Sequence, residues 1–173
     1  FMMENLTKPV ILTGSQLPIG QVRTDGKENL ITSIEIASAK NKNGHAVIPE
    51  VCIYFHGRLL RGNRAKKMNA DNFDAFETFN YPHLGTAGVN IDYNTSHVLK
   101  PDFNSFMIPH TILNPNVIVF SLFPGIQENL VRRILNITEL RAIVMRTYGS
   151  GNAPQEKWLE NLLKEASANN III

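Results

Sequence analysis

The sequence predicts an α/β protein with mostly parallel, doubly wound sheets in two units joined by a linker. Three observations carry this. Short apolar runs alternate with segments of helical spacing in both halves of the chain, the pattern of strand–helix–strand units. The apolar runs are followed by loops bearing Gly, Ser or Pro, where parallel sheets place their sites. Between the halves, Pro82, Pro101, Pro109 and Pro115 punctuate a stretch of scattered Asn, His and Asp.

In chain order, Phe1-Met2-Met3-Glu4-Asn5-Leu6 reads as the last turns of an amphipathic helix. Lys8-Pro9 ends it, because proline disfavours helix at the residue before it. Val10-Ile11-Leu12 is a short buried strand, and Thr13 to Gly20 the loop at its carboxyl end. Asp25 is expected to cap a helix, with Glu28 three residues on as in a capping box. Leu30, Ile31, Ile34 and Ala37 supply that helix's apolar stripe, and Asn41 to Gly44 closes it. Val51 to Phe55 is apolar on both faces, as a central strand is. His56-Gly57 forms a tight turn that returns Arg58 to Arg61 as a hairpin. Gly88 to Tyr93 is one further strand, within a stretch (about 78 to 114) otherwise read as connection.

From Asn116 the alternation resumes. Val117 to Phe120 is a strand, Phe123-Pro124-Gly125 its loop, and Gln127 to Leu135 a helix with Leu130, Val131, Ile134 and Leu135 on one face. Ala142 to Met145, the loop Tyr148 to Pro154 and the helix Gln155 to Ala168 follow, with Trp158, Leu159, Leu162 and Leu163 inward. Ile171-Ile172-Ile173 begins another strand. This βαβαβ order implies a parallel, right-handed sheet. Both chain ends read as interiors of elements, so a piece of a longer protein is expected.

Composition narrows the function classes. A chain of 173 residues suits one domain or two small α/β units, and buries roughly 70 % of its unfolded surface without staples. Hydrophobic residues make up 43 % and charged ones 18 %, fewer charges than the usual ~25 %, which argues for extensive interior and against disorder. A net charge of +2 leaves nucleic acid out as the main partner. The single cysteine, Cys52, allows no internal disulfide and fits a reducing compartment. No apolar run reaches ~18 residues, so no spanning helix and no membrane partner is expected, and no secretory signal is read.

The chemistry centres on Arg58 to Phe76. Five of the seventeen Lys and Arg residues (Arg58, Arg61, Arg64, Lys66, Lys67) fall there within ten positions, split by Gly62 and followed by Asp71, Phe73, Asp74 and Phe76. One reading is a solvated basic loop. The other holds one lysine close to an acid and a hydroxyl, where desolvation shifts its proton affinity. Three strand-end loops are candidate sites: Thr13 to Arg23, Phe123 to Gly125, and Arg146 to Pro154. The last carries Gly149 and Gly151, but Pro154 stands where a dinucleotide fingerprint needs its third glycine, which favours a tight turn. The five histidines lack metal-ligand spacing, so no metal is expected. Neither Ser15 nor Ser150 sits in a G-x-S-x-G elbow, and Cys52 lies in an apolar strand as packing. Asp71 and Asp74 are three apart on a possible helix. Residue types alone name no reaction.

Several stretches, in order along nearly the whole chain, are similar to the bacterial type I (cytoplasmic) L-asparaginases. They are Lys8-Pro9-Val10 with Thr13-Gly14-Ser15-Gln16-Leu17-Pro18, Arg23-Thr24-Asp25-Gly26 with Asn29-Leu30, and Arg61-Gly62-Asn63-Arg64 with Lys67. Phe73-Asp74-Ala75-Phe76 and Tyr148-Gly149-Ser150-Gly151-Asn152-Ala153-Pro154 complete them. The resemblance implies part of the two-domain asparaginase fold: residues 1–95 as the latter part of the N-terminal domain, 96–115 as linker, and 116–173 as the first part of the C-terminal domain. It implies hydrolysis of L-asparagine to L-aspartate and ammonia without metal or organic cofactor, by a threonine nucleophile in a cytoplasmic homodimer or homotetramer. A second threonine, an aspartate and a lysine handle the proton in that family, and the lysine matches Lys67. The Thr13, Gly14, Ser15, Gln16 loop supports the site without supplying the nucleophile. Arg146 matches the arginine of a regulatory asparagine site found in some members, although Lys66 stands where that site has a threonine. Asn152 matches a loop that faces a neighbouring subunit.

The T-G-G-T-I-G and G-T-D-T segments that carry the family's threonines do not occur in these residues. The chain by itself is therefore expected to be inactive. Two other readings stay open: the amidase subunit of a tRNA-dependent amidotransferase, and a non-catalytic α/β domain that binds a small ligand at Arg146 to Pro154.

Overall fold

Val51-Cys52-Ile53-Tyr54-Phe55 is the strand from which the first sheet is built, with Cys52 and Tyr54 fully buried. The computed structural model describes residues 2–173, which form one unit up to Thr111 and another from Ile112. In the first unit the strands are β1 (Met3–Glu4), β2 (Val10–Leu12), β3 (Val51–Phe55), β4 (Arg58–Arg61), β5 (Lys66–Lys67), β6 (Phe76–Glu77), β7 (Gly85–Ala87), β8 (Ile91–Tyr93) and β9 (Ile108–Pro109). Helix α1 (Gly26–Ser38) joins β2 to β3. The main sheet has the order β2-β3-β4-β7-β8, while among the described residues β5 pairs only with β6 and β1 only with β9.

The fold is α/β, and the first sheet is mixed. β2 and β3 run parallel, with Val10 opposite Val51. His56 and Gly57 then both adopt positive φ, 49° and 74°, as a two-residue hairpin turn requires. The chain returns antiparallel, with Leu59 opposite Tyr54. The hairpin expected at Arg58 to Arg61 is present. Beyond it, β7 pairs with β4 and β8 with β7, so residues 85–93 complete a sheet rather than connect two units. Ile36, Ile48, Cys52, Tyr54, Leu59 and Leu84 form the core. Burial, with the Glu50 carboxylate nearby, pushes the Cys52 thiol up to about 12, consistent with packing rather than reactivity.

Two expectations need correcting. The helical end read over residues 1–6 is absent among residues 2–6, where Met3–Glu4 pairs antiparallel with Ile108–Pro109 (Phe1 lies outside the described residues). The positive φ of Asn5 is incompatible with a right-handed helix at that position. Asn5, at φ 54°, turns its side chain onto Asp102 and Ser105 instead. The second correction concerns α1. Its buried residues are Gly26, Asn29, Ser33 and Ile36, while Leu30, Ile31, Ile34 and Ala37 are exposed. Hydrogen bonds made by Asn29, described below, set the helix's rotation, and the apolar stripe turns outward.

Glu50 and Arg61 form a buried ion pair, their side chains 2 % and 12 % exposed. Glu50 accepts from Arg61 Nε at 2.5 Å and Nη2 at 2.9 Å, and from the Leu99 amide at 2.6 Å. Arg61 also donates to the His97 carbonyl and lies 4.5 Å over the Tyr81 ring. The pair thereby binds residues 97–99 to β3 and β4.

The second unit consists of β10 (Val117–Ser121), α2 (Glu128–Leu135), β11 (Ala142–Arg146) and α3 (Lys157–Ala168). β10 and β11 are parallel in register Val117 to Ala142, and Ile172 adds a parallel bridge to Ala142, as the start of a third strand would. Val131 and Leu135 of α2 and Leu159 and Leu162 of α3 are buried against Phe120 and Ile143. Ile134, Trp158 and Leu163 are half-buried and Leu130 is exposed.

Removing one member of a buried ion pair strands the other. Glu50→Ala is expected to lower the unfolding free energy by about 3–5 kcal/mol in chemical denaturation, and Glu50→Met with Arg61→Met by clearly less.

Candidate active site

The loop after β2 is fastened by a single buried side chain. Asn29, 0 % exposed, donates from Nδ2 to the Gly14 carbonyl at 2.9 Å and to Asp25 Oδ2 at 3.1 Å. Its Oδ1 accepts the His56 amide at 3.1 Å. The β2 loop, the start of α1 and the β3–β4 turn therefore meet on one amide. Thr13 Oγ1 adds a bond to the Tyr54 carbonyl at 2.8 Å. Thr13, Gly14 and Ser15 are exposed, and Gln16 is half-buried.

Asp25 stands at the N-cap position but does not cap with its side chain, so the capping box expected with Glu28 does not form. Its carboxylate turns back and accepts the amides of Gln16 (3.0 and 3.1 Å) and Leu17 (3.2 Å). Thr24 Oγ1 accepts from the Gly26 amide instead, and Glu28 accepts from the Tyr54 hydroxyl at 2.5 Å. Gly26 sits in a tight place: a Cβ would lie 3.1 Å from Thr24 Oγ1 and 3.2 Å from the Ser15 Cβ, so those side chains would have to shift. Burial pushes the Asp25 carboxyl up, but the N–H groups of Gln16 and Leu17, its own amide and the Asn29 amide outweigh that and hold it below the ordinary carboxylate range.

Lys67 lies on β5, opposite Phe76, and is exposed. No ion pair forms at its ammonium among the described residues. Its hairpin is tied to the β2 loop by Gln16, whose Nε2 donates to the Ala70 carbonyl at 3.0 Å and the Asn72 carbonyl at 2.6 Å. The Phe76 ring sits 5.4 Å from Phe55. Asp71 lies in a bend and Asp74 in the irregular stretch just before β6, so neither is on a helix. Asp74 pairs with Arg58 at 2.8 Å, because that guanidinium is within reach once β6 folds back. Glu77 accepts from Arg58 at 2.7 Å, from His83 at 2.9 Å and from the Thr78 amide at 2.8 Å. The His83 hydrogen bond, then the Thr78 amide and Arg58, hold the Glu77 carboxyl below its ordinary range.

Of the sequence-derived residues, the first unit brings together Thr13 to Gln16 and the Lys67 hairpin. In the second unit, Arg146 ends β11 opposite Ser121; it is exposed, and its carbonyl accepts from the Leu122 amide. Tyr148 and Asn152 close a turn, with the Tyr148 amide on the Asn152 carbonyl at 2.8 Å, and the Asn152 side chain is exposed. Asn29 and Arg58 carry much of the first unit's loop geometry without having been singled out for it. Asn29 had two signals, a polar residue between helix-spaced apolar ones and its place in the Asn29-Leu30 stretch of the family resemblance. Among the described residues no group of His, Cys, Asp and Glu converges as a metal site, and no helix is long and apolar enough to cross a membrane.

Two family models match in tandem: "Asparaginase, N-terminal" over residues 1–99 and "Glutaminase/Asparaginase C-terminal domain" over residues 116–173. The chain belongs to the asparaginase family. This asparaginase-family chain is 41 % identical over 174 residues to L-asparaginase 1 of Escherichia coli K12, covering 100 % of the chain and 49 % of that protein. It is 42 % identical over 173 residues to the 60 kDa lysophospholipase of Mus musculus, covering all of the chain and 29 % of that protein. The crystal structure of L-asparaginase I from Vibrio cholerae matches with a TM-score of 0.82 at 36 % identity, over 99 % of this chain and 50 % of that one. The chain thus spans half or less of the length of these relatives.

The lowered Asp25 proton affinity makes stability pH-dependent. The contribution is fully present above the unfolded value of about 3.9 and is lost as pH falls through the lower folded value. Unfolding free energies measured from pH 7 to pH 3 are expected to fall less steeply at the acid end for Asp25→Asn than for the unsubstituted chain, from a lower value at pH 7.

Proposed function

We propose that these 173 residues form the lysine-bearing and C-terminal-loop portion of an L-asparagine amidohydrolase. The observation that supports this most directly is the fastening of the Lys67 hairpin to the loop at the carboxyl end of β2 through Gln16. Parallel α/β sheets hold their ligands at that end of the strands, and similarity to bacterial L-asparaginases covers the whole chain.

In this reading a threonine hydroxyl, carried on polypeptide outside these residues, attacks the side-chain amide carbon of L-asparagine. An acyl-enzyme ester forms, and the amide nitrogen takes a proton and leaves as ammonia. Water then cleaves the ester to L-aspartate. A hydroxyl is a weak nucleophile until a neighbour takes its proton. Lys67 is the neighbour this chain contributes, acting with a second threonine and an aspartate that also lie outside it. The exposure of Lys67 here fits a lysine whose partners come from elsewhere. No cofactor is needed, since proton transfer and oxyanion stabilisation suffice for amide hydrolysis. Asn152 presents an exposed amide that suits a neighbouring copy's site in a cytoplasmic homodimer or homotetramer. Arg146, exposed at a strand end, suits the carboxylate of bound asparagine.

Coupled detection of ammonia tests this. The 173-residue chain alone is expected to release none from L-asparagine, and the intact protein at roughly 1 s⁻¹ or faster. Turnover at that rate by the 173-residue chain would place a nucleophile within it and refute the assignment.

A further inference from the structure

β5 and β6, which present Lys67, share no backbone ladder with the five-stranded sheet. A two-stranded hairpin is marginal by itself, so the direction in which it offers the lysine depends on what fastens it. Gln16 holds its far loop, and Phe55 meets Phe76 at its base. Arg58 is the fastening shared by two carboxylates, and His83 also meets Glu77 at 2.9 Å. Arg58 belongs to β4, where it pairs with Phe55 on one side and Thr86 on the other, so its backbone is fixed within the main sheet. Nη1 donates to Asp74 Oδ1 at 2.8 Å and to Glu77 Oε2 at 2.7 Å. Asp74 and Glu77 bracket Ala75 and Phe76. Phe76 is the partner of Lys67, and the Ala75 carbonyl accepts the Met68 amide at 2.7 Å. Asn69 Nδ2 adds a bond to the Asp74 carbonyl at 2.9 Å. The Phe76 and Ala75 backbone groups opposite Lys67 and Met68 thus lie between two carboxylates on one guanidinium, and Glu77 itself pairs with Lys66.

We infer that Arg58 is a positioning residue for Lys67. It grips the opposite strand through Asp74 and Glu77 and so fixes the direction of the ammonium. The inference rests on the proposed amidohydrolase reading for its kinetic consequence, but its geometric content stands apart from it. The side chains are 31 % (Arg58), 47 % (Asp74) and 33 % (Glu77) exposed, so the effect expected is on orientation more than on global stability. Arg58→Met keeps the stem and removes the fork. Arg58→Lys keeps the charge and, like Nη1 here, offers one nitrogen to both carboxylates, but on a shorter and more flexible stem. Asp74→Asn with Glu77→Gln keeps the arginine and removes its anchors.

The experiment is made on the intact protein. The lysines are reductively ¹³C-methylated, with the Lys67 resonance assigned through Lys67→Arg, and steady-state hydrolysis of L-asparagine is measured in parallel. In Arg58→Met and in the Asp74/Glu77 variant the Lys67 resonance is expected to shift and broaden. kcat is expected to fall about 10- to 100-fold, as a misplacement of order 1 Å produces, with KM changed less than about threefold and partial recovery in Arg58→Lys. If Arg58→Met fails to fold, the carboxylate variant decides. A Lys67 resonance unmoved in every folded variant overturns the positioning role. A resonance that moves while kcat stays within about twofold overturns its catalytic consequence. Absence of hydrolysis by the unsubstituted intact protein counts against the amidohydrolase reading alone, because the resonance still reports the geometry.

Discussion

The side-chain amide of Asn29 is the constraint on which the first unit's strand-end geometry depends. Both Nδ2 donors and Oδ1 are engaged, on Gly14, Asp25 and His56, so a fully buried polar group is left without an unmet bond. Burying an amide is costly unless it is paired, and here the pairing joins three segments far apart in sequence. It explains why α1 buries Asn29 and Ser33 rather than Leu30 and Ile34. It also holds the Asp25 carboxylate, which accepts the Gln16 amide while the Gln16 side chain reaches the loop beyond Lys67.

A chain of polar contacts runs from there. Asn29 fixes Asp25, Asp25 fixes Gln16, and Gln16 fixes residues 70–72. From the other side Arg58 fixes Asp74 and Glu77. The hairpin bearing Lys67 is held by side chains at both ends, because no ladder joins it to the sheet. Such fastening sets direction without a buried core, which suits the proton-handling role proposed for Lys67.

Much of this was legible in the sequence, and the exceptions have physical causes. The strands Val10–Leu12, Val51–Phe55, Val117–Ser121 and Ala142–Arg146 were legible as short apolar runs, and the His56-Gly57 turn as hairpin chemistry. Helix α1 was legible as an element, but its orientation was not. Periodicity ranks residues by hydrophobicity, and no periodicity argument weighs three hydrogen bonds of an asparagine against an apolar stripe. The capping box at Asp25 and Glu28 failed for a related reason: the spacing was right, but Gln16 and Leu17 compete for the carboxylate. The helical reading of residues 2–6 took side-chain pattern for structure where Met3–Glu4 pairs with Ile108–Pro109 and Asn5 takes positive φ. At the candidate site, Lys67 and the Thr13 to Gln16 loop came from resemblance, since residue types named no reaction. Their link through Gln16 needed coordinates, as did the Arg58 clamp, which spans sixteen and nineteen positions.

If the scaffold exists to present one ammonium to a threonine hydroxyl, removing that ammonium must disable chemistry and spare binding. The direct measurement is steady-state ammonia release from L-asparagine by the intact protein carrying Lys67→Met. A kcat lower by about 10²- to 10⁴-fold with KM near its original value is the result this account predicts. A kcat indistinguishable from that of the unsubstituted protein would contradict it.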